Sequence, residues 1–382
     1  MNLVVGGGLS GLSFSHFFNE DCTIIDLGIP RIKSLSQNPC LDLGAQFFSK
    51  QDYNFFYLLK SLKLQSQIKK TNFNKFYIEK NETLINIHSK SFGGLSKAEQ
   101  KEFKLFKQML NNCEDFLFKN SQELQNTTFS QWYQKLYGGE SLWICDAFLR
   151  SITFSTSKEL NALYGIIACQ SFFLKTYTFP KGMEYVITQL SKHKKIIRSQ
   201  IEHIEFNRNK VETVQYNNKV LPCRKLTSAI PSSALSKIVS DHELSKHLSK
   251  VPYGGCEVIV IKTKNELTKG KPGIITPERK TISAIIKNRD YYTILAPYMK
   301  VPPAESMVLE ELGVLPEKTV TSLHWDYSLP TCTKKLHLLQ QEITEITNQY
   351  DNFAICGDFM GLPSLDACVE SAKKAAEKLN KN

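Results

Sequence analysis

The sequence predicts an α/β fold made of two interleaved domains, and three observations support this prediction. The chain begins with an apolar strand, a glycine-rich turn and a helix; it ends with another apolar strand and a helix; and the spacing of apolar residues changes near Lys195. A chain of 382 residues, 42% of them hydrophobic, is long enough for two domains with separate cores. Because neither a flexible linker nor an internal repeat divides the chain, we expect the domains to share it in alternating segments.

Several classes of protein are excluded by composition. No run of about 18 apolar residues is present, so no transmembrane helix is predicted. The first strand starts at residue 2 with no basic segment before it, which predicts a cytoplasmic protein without a secretory signal. The ten cysteines include no Cys-x-x-Cys pair, and no histidines cluster at metal spacing. We therefore expect reduced thiols, no disulfide framework and no metal site.

The formal net charge of +11 comes mainly from lysine. These lysines are dispersed rather than arranged in runs interleaved with aromatic residues, so a solvated surface is expected in place of a nucleic-acid interface. Electrostatic steering of an acidic ligand is compatible with the same charge.

The first 26 residues follow the pattern of a dinucleotide-binding βαβ unit. A strand at 3–5 precedes the GGGLSG segment at 6–11, a helix is predicted at 12–18, and a second strand at 22–25 closes on Asp26. This order of elements, with an acid about 20 residues after the first glycine, matches the G-x-G-x-x-G fingerprint. The alternative is a structural turn that binds no nucleotide.

Each glycine of the fingerprint has a physical role. Gly6 permits the tight turn, Gly8 lets the backbone approach a pyrophosphate, and Gly11 lets the helix pack close to the strand. The start of the helix, at Leu9 and Ser10, offers free N–H groups and a partial positive charge to phosphates. The carboxylate of Asp26 can accept hydrogen bonds from a ribose diol. NAD, NADP and FAD all fit this fingerprint.

Further elements are predicted along the chain. Residues 41–48 are strand-like, 53–64 are helical, and 96–170 are mainly helical, up to the break at Pro180 and Gly182. Alternation after Lys195 predicts a three-stranded meander at 198–206, 210–216 and 221–229. The remaining predicted strands are 257–262, 282–287, 291–296, 320–326 and 353–356, and the remaining predicted helices are 335–348 and 365–379.

Near the C-terminus, Gly357 and Asp358 follow the last apolar strand, and residues 363–372 lead into the last helix. Together with the N-terminal unit, this segment resembles the FAD-dependent amine oxidase superfamily, which includes renalase, protoporphyrinogen oxidase and the phytoene and squalene desaturases. The resemblance implies FAD in a Rossmann-like domain of the three-layer, GR2-type flavoprotein class, interleaved with a mixed α+β substrate domain. It implies an FAD-binding domain at 1–75, 195–250 and 335–382, and a substrate domain with a helical insertion at 76–194 and 251–334.

Internal segments extend the resemblance over nearly the whole chain. The DLGAQFF segment at 42–48 is similar to a strand that passes near the isoalloxazine in renalase-like proteins. Residues 128–132, 160–164 and 179–183 resemble landmarks of the substrate domain. The meander from Ile201 to Ala229 is similar to the adenine-side insertion, and 324–330 looks like the late Trp-x-Tyr-x-x-Pro segment.

The resemblance also implies roles for individual residues. Asp358 would lie near the ribityl phosphate, and the start of the last helix would direct its dipole at the flavin pyrimidine. Gln46 would present a polar group to the flavin. Lys287 is a candidate for the lysine that holds a water near the reactive flavin nitrogen, the alternative being an ordinary lysine at a strand end. Aromatic side chains that either line the flavin or pack in the core are Phe47, Phe48, Phe172, Phe173, Tyr177 and Trp325.

The sequence departs from the family at one position. Members carry Gly-Gly-Arg shortly after the ribose-binding acid, where the arginine contacts the cofactor phosphates, but this chain has GIPR at 28–31. Arg31 or Lys33 is expected to substitute. The predicted cofactor-binding residues are Gly6, Gly8, Leu9, Ser10, Gly11, Asp26, Arg31, Gln46, Ile201, Ala229, Gly357, Asp358, Leu365, Asp366 and Ala367; the predicted catalytic residues are Gln46, Lys287 and Trp325; no metal ligand is predicted.

These observations predict an FAD-dependent oxidoreductase that takes a hydride from a C–H bond onto flavin N5. The substrate would be an amine, a porphyrinogen-like or isoprenoid-like compound, or a dihydronicotinamide, with oxygen or a quinone as acceptor. The alternative is a flavin-binding regulatory or interaction protein that has lost catalysis. The absence of a Ser-His-Asp order and of a Walker lysine agrees with flavin chemistry. The sequence leaves the oligomeric state open.

The predicted helical segment at 96–170 favours a bulkier or more apolar substrate. Some of its apolar residues lie beside lysines and fit either a core face or a contact with a membrane surface. These residues are Phe103, Leu105, Phe106, Met109 and Leu110.

Overall fold

The computed structural model describes residues 1–28, 32–36, 40–71, 76–89 and 92–381. The strands are β1 (Asn2–Val5), β2 (Thr23–Asp26), β3 (Ser34–Leu35), β4 (Leu41–Asp42), β5 (Phe48–Ser49), β6 (Lys69–Lys70), β7 (Tyr77–Lys80), β8 (Thr83–Asn86), β9 (Thr176–Thr178), β10 (Lys195–Arg198), β11 (Ile201–Asn207), β12 (Lys210–Tyr216), β13 (Lys219–Pro222), β14 (Lys225–Ser228), β15 (Tyr253–Lys262), β16 (Gly273–Ile275), β17 (Ala284–Asn288), β18 (Tyr291–Tyr298), β19 (Lys318–Pro330) and β20 (Phe353–Ile355). The helices are α1 (Leu9–Phe17), α2 (Tyr53–Ser61), α3 (Lys97–Leu110), α4 (Glu114–Lys119), α5 (Ser121–Asn126), α6 (Phe129–Tyr137), α7 (Leu142–Ile152), α8 (Ala162–Ser171), α9 (Glu184–Ser191), α10 (Ser232–Leu235), α11 (His242–Leu248), α12 (Glu305–Leu312), α13 (Leu336–Asn348) and α14 (Leu365–Lys381).

The chain forms two compact units, each assembled from separate segments. The first unit comprises residues 1–69, 178–252 and 336–382, and the second comprises 70–177 and 253–335. Residues 178–194 cluster with the first unit, whereas the sequence-based boundary placed them in the other domain. They do so because α9 packs against α1 and the ring of Phe179 lies 5.8 Å from that of Phe48.

A five-stranded parallel sheet forms the centre of the first unit. Its strand order is β10-β2-β1-β14-β20. Leu3, Val4 and Val5 are buried because β1 lies between two other strands. Helix α1 connects β1 to β2 and packs against α14. This order of strands and helices is that of a Rossmann-like domain, as predicted.

The predicted meander was wrong at both of its ends. Arg198 ends β10, which pairs with β2, and residues 225–228 form β14, which lies between β1 and β20. All four residues of β14 are buried, which suits a central strand of a parallel sheet rather than a solvated hairpin. The observed antiparallel meander is therefore β11, β12 and β13.

The second unit combines a seven-stranded sheet with a group of helices. Its strand order is β19-β15-β18-β17-β16-β7-β8, antiparallel except for the parallel pair of β16 and β7. Helix α12 covers one face of this sheet through Val308 and Leu312, which pack with Ile259 and Ile294. The α+β composition agrees with the predicted substrate domain.

Helices α3 to α8 confirm that residues 96–170 are mainly helical. Phe103, Phe106 and Leu110 are fully buried, and Met109 is half-buried. These positions therefore form a core face, and of the five apolar residues considered for a membrane contact Leu105 is the exposed one. In the described part of the chain, no helix has the length and apolar character needed to span a bilayer.

Candidate cofactor site

The carboxyl ends of the parallel strands carry a row of backbone hydrogen bonds that joins four segments. The amide of Gly6 donates to the carbonyl of Ile25 at 2.8 Å, and the amide of Ala229 donates to the carbonyl of Val5 at 2.7 Å. The amide of Cys356 continues the row by donating to the carbonyl of Ser228 at 2.9 Å. In open parallel sheets this edge is where ligands bind.

Two glycines at this edge are required by the backbone. Gly6 has a φ of +103°, and a Cβ there would lie 2.9 Å from the carbonyl oxygen of Ala229. A Cβ at Gly11 would lie only 1.9 Å from the carbonyl oxygen of Gly6. The close packing of α1 on β1 therefore depends on Gly11, as the fingerprint predicts.

Gly8 differs from these two residues. Its φ of −76° and ψ of −171° are accessible to any residue, it is exposed, and a Cβ there would meet no atom of the described residues within 4 Å. It is the N-cap residue of α1, which has neither a capping side chain nor an acidic residue in its first turn. The fold does not need glycine at this position, so a side chain here would occupy the space in front of the open N–H groups of Leu9 and Ser10.

Asp26 lies beside this turn at the end of β2. Its Oδ1 accepts a hydrogen bond from the Gly7 amide at 2.8 Å, and its Oδ2 accepts one from the Gly28 amide at 3.0 Å. The Arg198 guanidinium forms an ion pair with the same carboxylate. Two backbone donors thus fix the carboxylate next to the glycine turn, where the sequence placed the ribose-binding acid. The contacts of Asp26 with Arg198 and Gly28 were not predicted from the sequence. Arg198 is far from Asp26 in the chain, and only the pairing of β10 with β2 brings the two together.

The C-terminal segment lies on the same edge of the sheet. Gly357 has a φ of +153°, donates its amide hydrogen to the hydroxyl of Ser371 at 3.0 Å, and lies two residues after the end of β20. Asp358 is half-buried and begins a short 3₁₀ helix over Asp358–Met360. Ile201 is the buried first residue of β11, three residues after Arg198.

The first turn of α14 is formed by Leu365, Asp366 and Ala367. Ser364 caps this turn by accepting a hydrogen bond from the Ala367 amide at 3.0 Å. The carboxylate of Asp366 accepts hydrogen bonds from the Phe55 amide and from the Asn54 side chain, both at 2.9 Å. Its side chain therefore holds the start of α2, which a separation of more than 300 residues had hidden from sequence analysis.

Gln46 lies between β4 and β5 and donates a hydrogen bond to the carbonyl of Asp42 at 3.2 Å. Burial raises the pKa of Asp42 to about 6, although its carboxylate accepts hydrogen bonds from Ser34 and from the Met183 amide. Asp42 begins the DLGAQFF segment at 42–48, but no role was predicted for its carboxylate. Arg31, the predicted phosphate contact, lies outside the described residues.

The other two predicted catalytic residues belong to the second unit. Lys287 on β17 forms an ion pair with Glu266, and this hydrogen bond raises the pKa of the lysine above its ordinary value. Such a lysine stays protonated, which favours the structural alternative. Trp325 lies on β19, opposite Cys256 on β15, and within the described residues its buried indole N–H has no hydrogen-bond partner.

Two of the remaining aromatic candidates, Phe48 and Phe172, lie in hydrophobic cores. Phe48 is buried against the rings of Phe55 and Phe179, and the ring of Phe172 stacks on that of Phe148 at 4.4 Å. Both therefore fit the core alternative. Among the described residues, no cluster of three His, Cys, Asp or Glu side chains is arranged to hold a metal ion.

The site fits the adenosine diphosphate part of a dinucleotide. An uncapped helix start faces open space at Gly8, and a fixed carboxylate stands beside it at Asp26. The residues that would hold FAD are those of this turn, together with Asp358 and the first turn of α14 at the same sheet edge.

Comparison with solved structures identifies the same fold over the whole chain. A putative protoporphyrinogen oxidase from Exiguobacterium sp. 255-15 has a TM-score of 0.78 at 13% identity, covering 99% of this chain and 98% of that chain. A fatty acid isomerase from P. acnes that produces CLA also has a TM-score of 0.78, at 12% identity, covering 98% and 97%. Cyclohexylamine oxidase from Brevibacterium oxydans IH-35A has a TM-score of 0.73 at 12% identity, covering 99% and 98%.

Sequence comparison gives a family. No curated protein sequence matches the chain. Residues 32–311 match the model of the family described as flavin containing amine oxidoreductase. This range includes neither the glycine turn nor Asp358, so the match is independent of the features that first indicated a flavin. The chain belongs to the flavin-containing amine oxidoreductase family and is an FAD-dependent enzyme.

Proposed function

We propose that this enzyme takes a hydride from a C–H bond of a small-molecule substrate onto N5 of FAD, with oxygen or a quinone as the final acceptor. The observation that carries the proposal is the uncapped start of α1 in front of open space at Gly8. The family match supports the redox chemistry.

Cofactor binding is assigned to residues of the first unit. The N–H groups at Leu9 and Ser10 would bind the pyrophosphate, which the positive end of α1 also attracts. Asp26 would accept hydrogen bonds from the ribose, and Ile201 and Ala229 would lie on the adenosine side. Asp358 would bind near the ribityl phosphate. The N-terminus of α14 would stabilise negative charge placed before it, with Gln46 as a neighbouring polar group.

Bound FAD supplies the hydride acceptor, so the protein contributes position and electrostatics rather than a strong base. This division of work agrees with a Lys287 that is held protonated by Glu266. The indole N–H of Trp325 is buried and has no partner among the described residues, and its donation to a substrate remains a prediction.

Among the substrate classes, we favour a bulky, apolar compound of the porphyrinogen or isoprenoid type over a small amine. The second unit contains the helical segment from α3 to α8, which by the resemblance favours a substrate of the oxidase and desaturase type. The two solved structures with a TM-score of 0.78 are named for a protoporphyrinogen oxidase and a fatty acid isomerase. An amine or a dihydronicotinamide is the competing class.

The test is an anaerobic titration of the purified flavoprotein. A porphyrinogen, an isoprenoid polyene precursor, a diamine and NADH are added separately, and the flavin absorbance near 450 nm is followed. We expect one of the first two compounds to bleach the flavin and oxygen or a quinone to restore it. Bleaching by the diamine or NADH alone would contradict the substrate class. A flavin that none of them reduces would favour the regulatory protein without catalysis.

Trp325→Phe tests whether the indole N–H of Trp325 donates a hydrogen bond to the substrate. We expect slower bleaching with unchanged flavin content, because the indole donor is lost while the ring remains. Trp132→Phe is the matched control, since Trp132 is buried among aromatic rings within the helices of the second unit. Equal rates in the two variants would remove Trp325 from the proposed site.

A further inference from the structure

Arg198 occupies a position that no sequence pattern assigned. It is the last residue of β10 and lies directly opposite Asp26 in the parallel register of β10 and β2. Its guanidinium pairs with Oδ2 of Asp26, and the Arg198 side chain is 64% exposed while that of Asp26 is 17% exposed. A Cβ built on Gly28 would lie 3.6 Å from Nη1 of Arg198, so the guanidinium lies close to Gly28.

The charges around the glycine turn make this position relevant to cofactor binding. FAD carries a diphosphate, and the fingerprint places Asp26 beside the nucleotide that bears it. Among the described residues, the donors to Asp26 other than Arg198 are the amides of Gly7 and Gly28, which carry no net charge. An uncompensated carboxylate repels a nearby diphosphate, whereas a guanidinium attracts phosphate and offers several N–H donors in one plane.

We propose that Arg198 is a cofactor-binding residue that compensates the charge of Asp26 and attracts the adenosine diphosphate half of FAD. The inference rests on the proposed cofactor site. Arg198 places a cation beside Asp26. This chain has GIPR at 28–31, where the amine oxidase superfamily that it resembles carries Gly-Gly-Arg. The large exposed fraction of the side chain lets the guanidinium move from Oδ2 toward a bound nucleotide with little loss of packing.

The chain offers a closely matched control in Arg224. Its side chain is also 64% exposed and is also paired with a carboxylate, that of Glu20 at 2.9 Å. Arg224 precedes β14, so it lies at the amino edge of the parallel sheet, opposite the edge of the glycine turn. Arg198→Gln and Arg224→Gln therefore remove the same charge and the same type of ion pair from the two edges of one sheet.

The experiment is a calorimetric titration of ADP into the full-length protein freed of flavin, at two ionic strengths. At low salt we expect Arg198→Gln to raise the Kd for ADP about three- to tenfold, and Arg224→Gln to leave it unchanged. Higher salt should reduce the difference, because exposed charges are screened. Arg198→Lys retains the charge but loses the planar set of N–H donors, so its Kd should lie between those of the unsubstituted protein and Arg198→Gln.

Three results would overturn the inference. An unchanged Kd in Arg198→Gln, with ADP still bound by the unsubstituted protein, would remove Arg198 while leaving the cofactor site in place. Equal weakening in Arg198→Gln and Arg224→Gln would show a general effect of net charge. If the unsubstituted protein takes up neither ADP nor FAD, the proposed cofactor site fails and the role of Arg198 fails with it.

Discussion

Helix α1 and helices α3 and α6 begin in opposite ways. Helix α3 starts with a complete capping box: Ser96 accepts a hydrogen bond from the Glu99 amide at 3.2 Å, and Glu99 accepts one from the Ser96 amide at 2.7 Å. Helix α6 starts with a second box, between Thr128 and Gln131. Helix α1 starts at Gly8 with no capping side chain and no acid in its first turn.

The difference shows how to separate a structural glycine from a functional one. Gly6 and Gly11 are explained by backbone geometry and close packing, so the fold needs them even when no cofactor is bound. Gly8 is explained by neither, and a serine there would cap the helix and add stability. A helix start kept open at some cost in stability is suited to bind an anion.

The largest effect is expected for Gly11→Ala. The new Cβ would lie 1.9 Å from the Gly6 carbonyl oxygen, a backbone atom that cannot turn away, so α1 must move off β1. We expect the free energy of unfolding to fall by about 3 kcal/mol, with loss of bound FAD. Thermal unfolding and the flavin absorbance of the purified protein measure the two effects.

Gly8→Ala is the control for this substitution, because the same methyl group meets no atom of the described residues within 4 Å. The flavin-free protein should lose at most about 1 kcal/mol of stability, the usual cost of alanine at an N-cap position. A loss of stability as large as that of Gly11→Ala would mean that Gly8 is also structural, and the comparison of helix starts would lose its basis.

Gly8→Ser should separate stability from binding. A serine at this N-cap position satisfies an N–H group that the cofactor needs, so flavin affinity should fall by about tenfold, the equivalent of a lost charge-assisted hydrogen bond. The flavin-free protein should gain a few tenths of a kcal/mol. Equilibrium FAD binding and chemical unfolding of the flavin-free chain give both values.

Thr128→Ala makes the opposite change in α6. Loss of this cap should cost about 1 kcal/mol of stability and leave flavin affinity unchanged, since the cap serves the helix alone. If Gly8→Ser and Thr128→Ala altered FAD binding equally, the open start of α1 would have no special role in cofactor binding.

The glycine turn at 6–11 and the position of Asp26 beside it were predictable because the residues that determine them are close together in the sequence. Strand, turn, helix and acid follow one another within 26 residues, and the structure places them as the fingerprint requires. Helical residues 96–170 were predictable for the same reason, since a spacing of three to four residues persists over long segments.

The features that could not be predicted from the sequence depend on contacts between segments that are distant in the chain. The strand at 225–228 was recognised as a strand, but its partners β1 and β20 are remote in the chain, so it was assigned to the adjacent meander. The contact of Arg198 with Asp26 and the contact of Asp366 with α2 were missed for the same reason. The alternation of apolar residues identifies a strand without identifying its neighbours.

The two capping boxes give the last test, because the third residues of their helices, Glu99 in α3 and Gln131 in α6, differ in charge. Burial alone would raise the pKa of Glu99, but hydrogen bonds from Ser96, Trp143 and Lys80 outweigh it and lower the pKa to about 2. A carboxyl whose pKa is lower in the folded state than its usual 4.5 stabilises the fold above that value. This contribution is lost as the pH falls from about 4.5 toward 2.

Glu99→Gln turns the α3 box into the Thr-x-x-Gln type of α6 and removes the titrating group. We expect the unsubstituted protein to lose about 1 to 2 kcal/mol more stability than Glu99→Gln between pH 5 and pH 3, measured by chemical unfolding. Gln131→Glu in α6 should add little pH dependence, because its position is exposed and contacts no lysine or indole comparable to Lys80 and Trp143 among the described residues. Parallel stability profiles for the unsubstituted protein and Glu99→Gln would mean that Glu99 acts only as a cap.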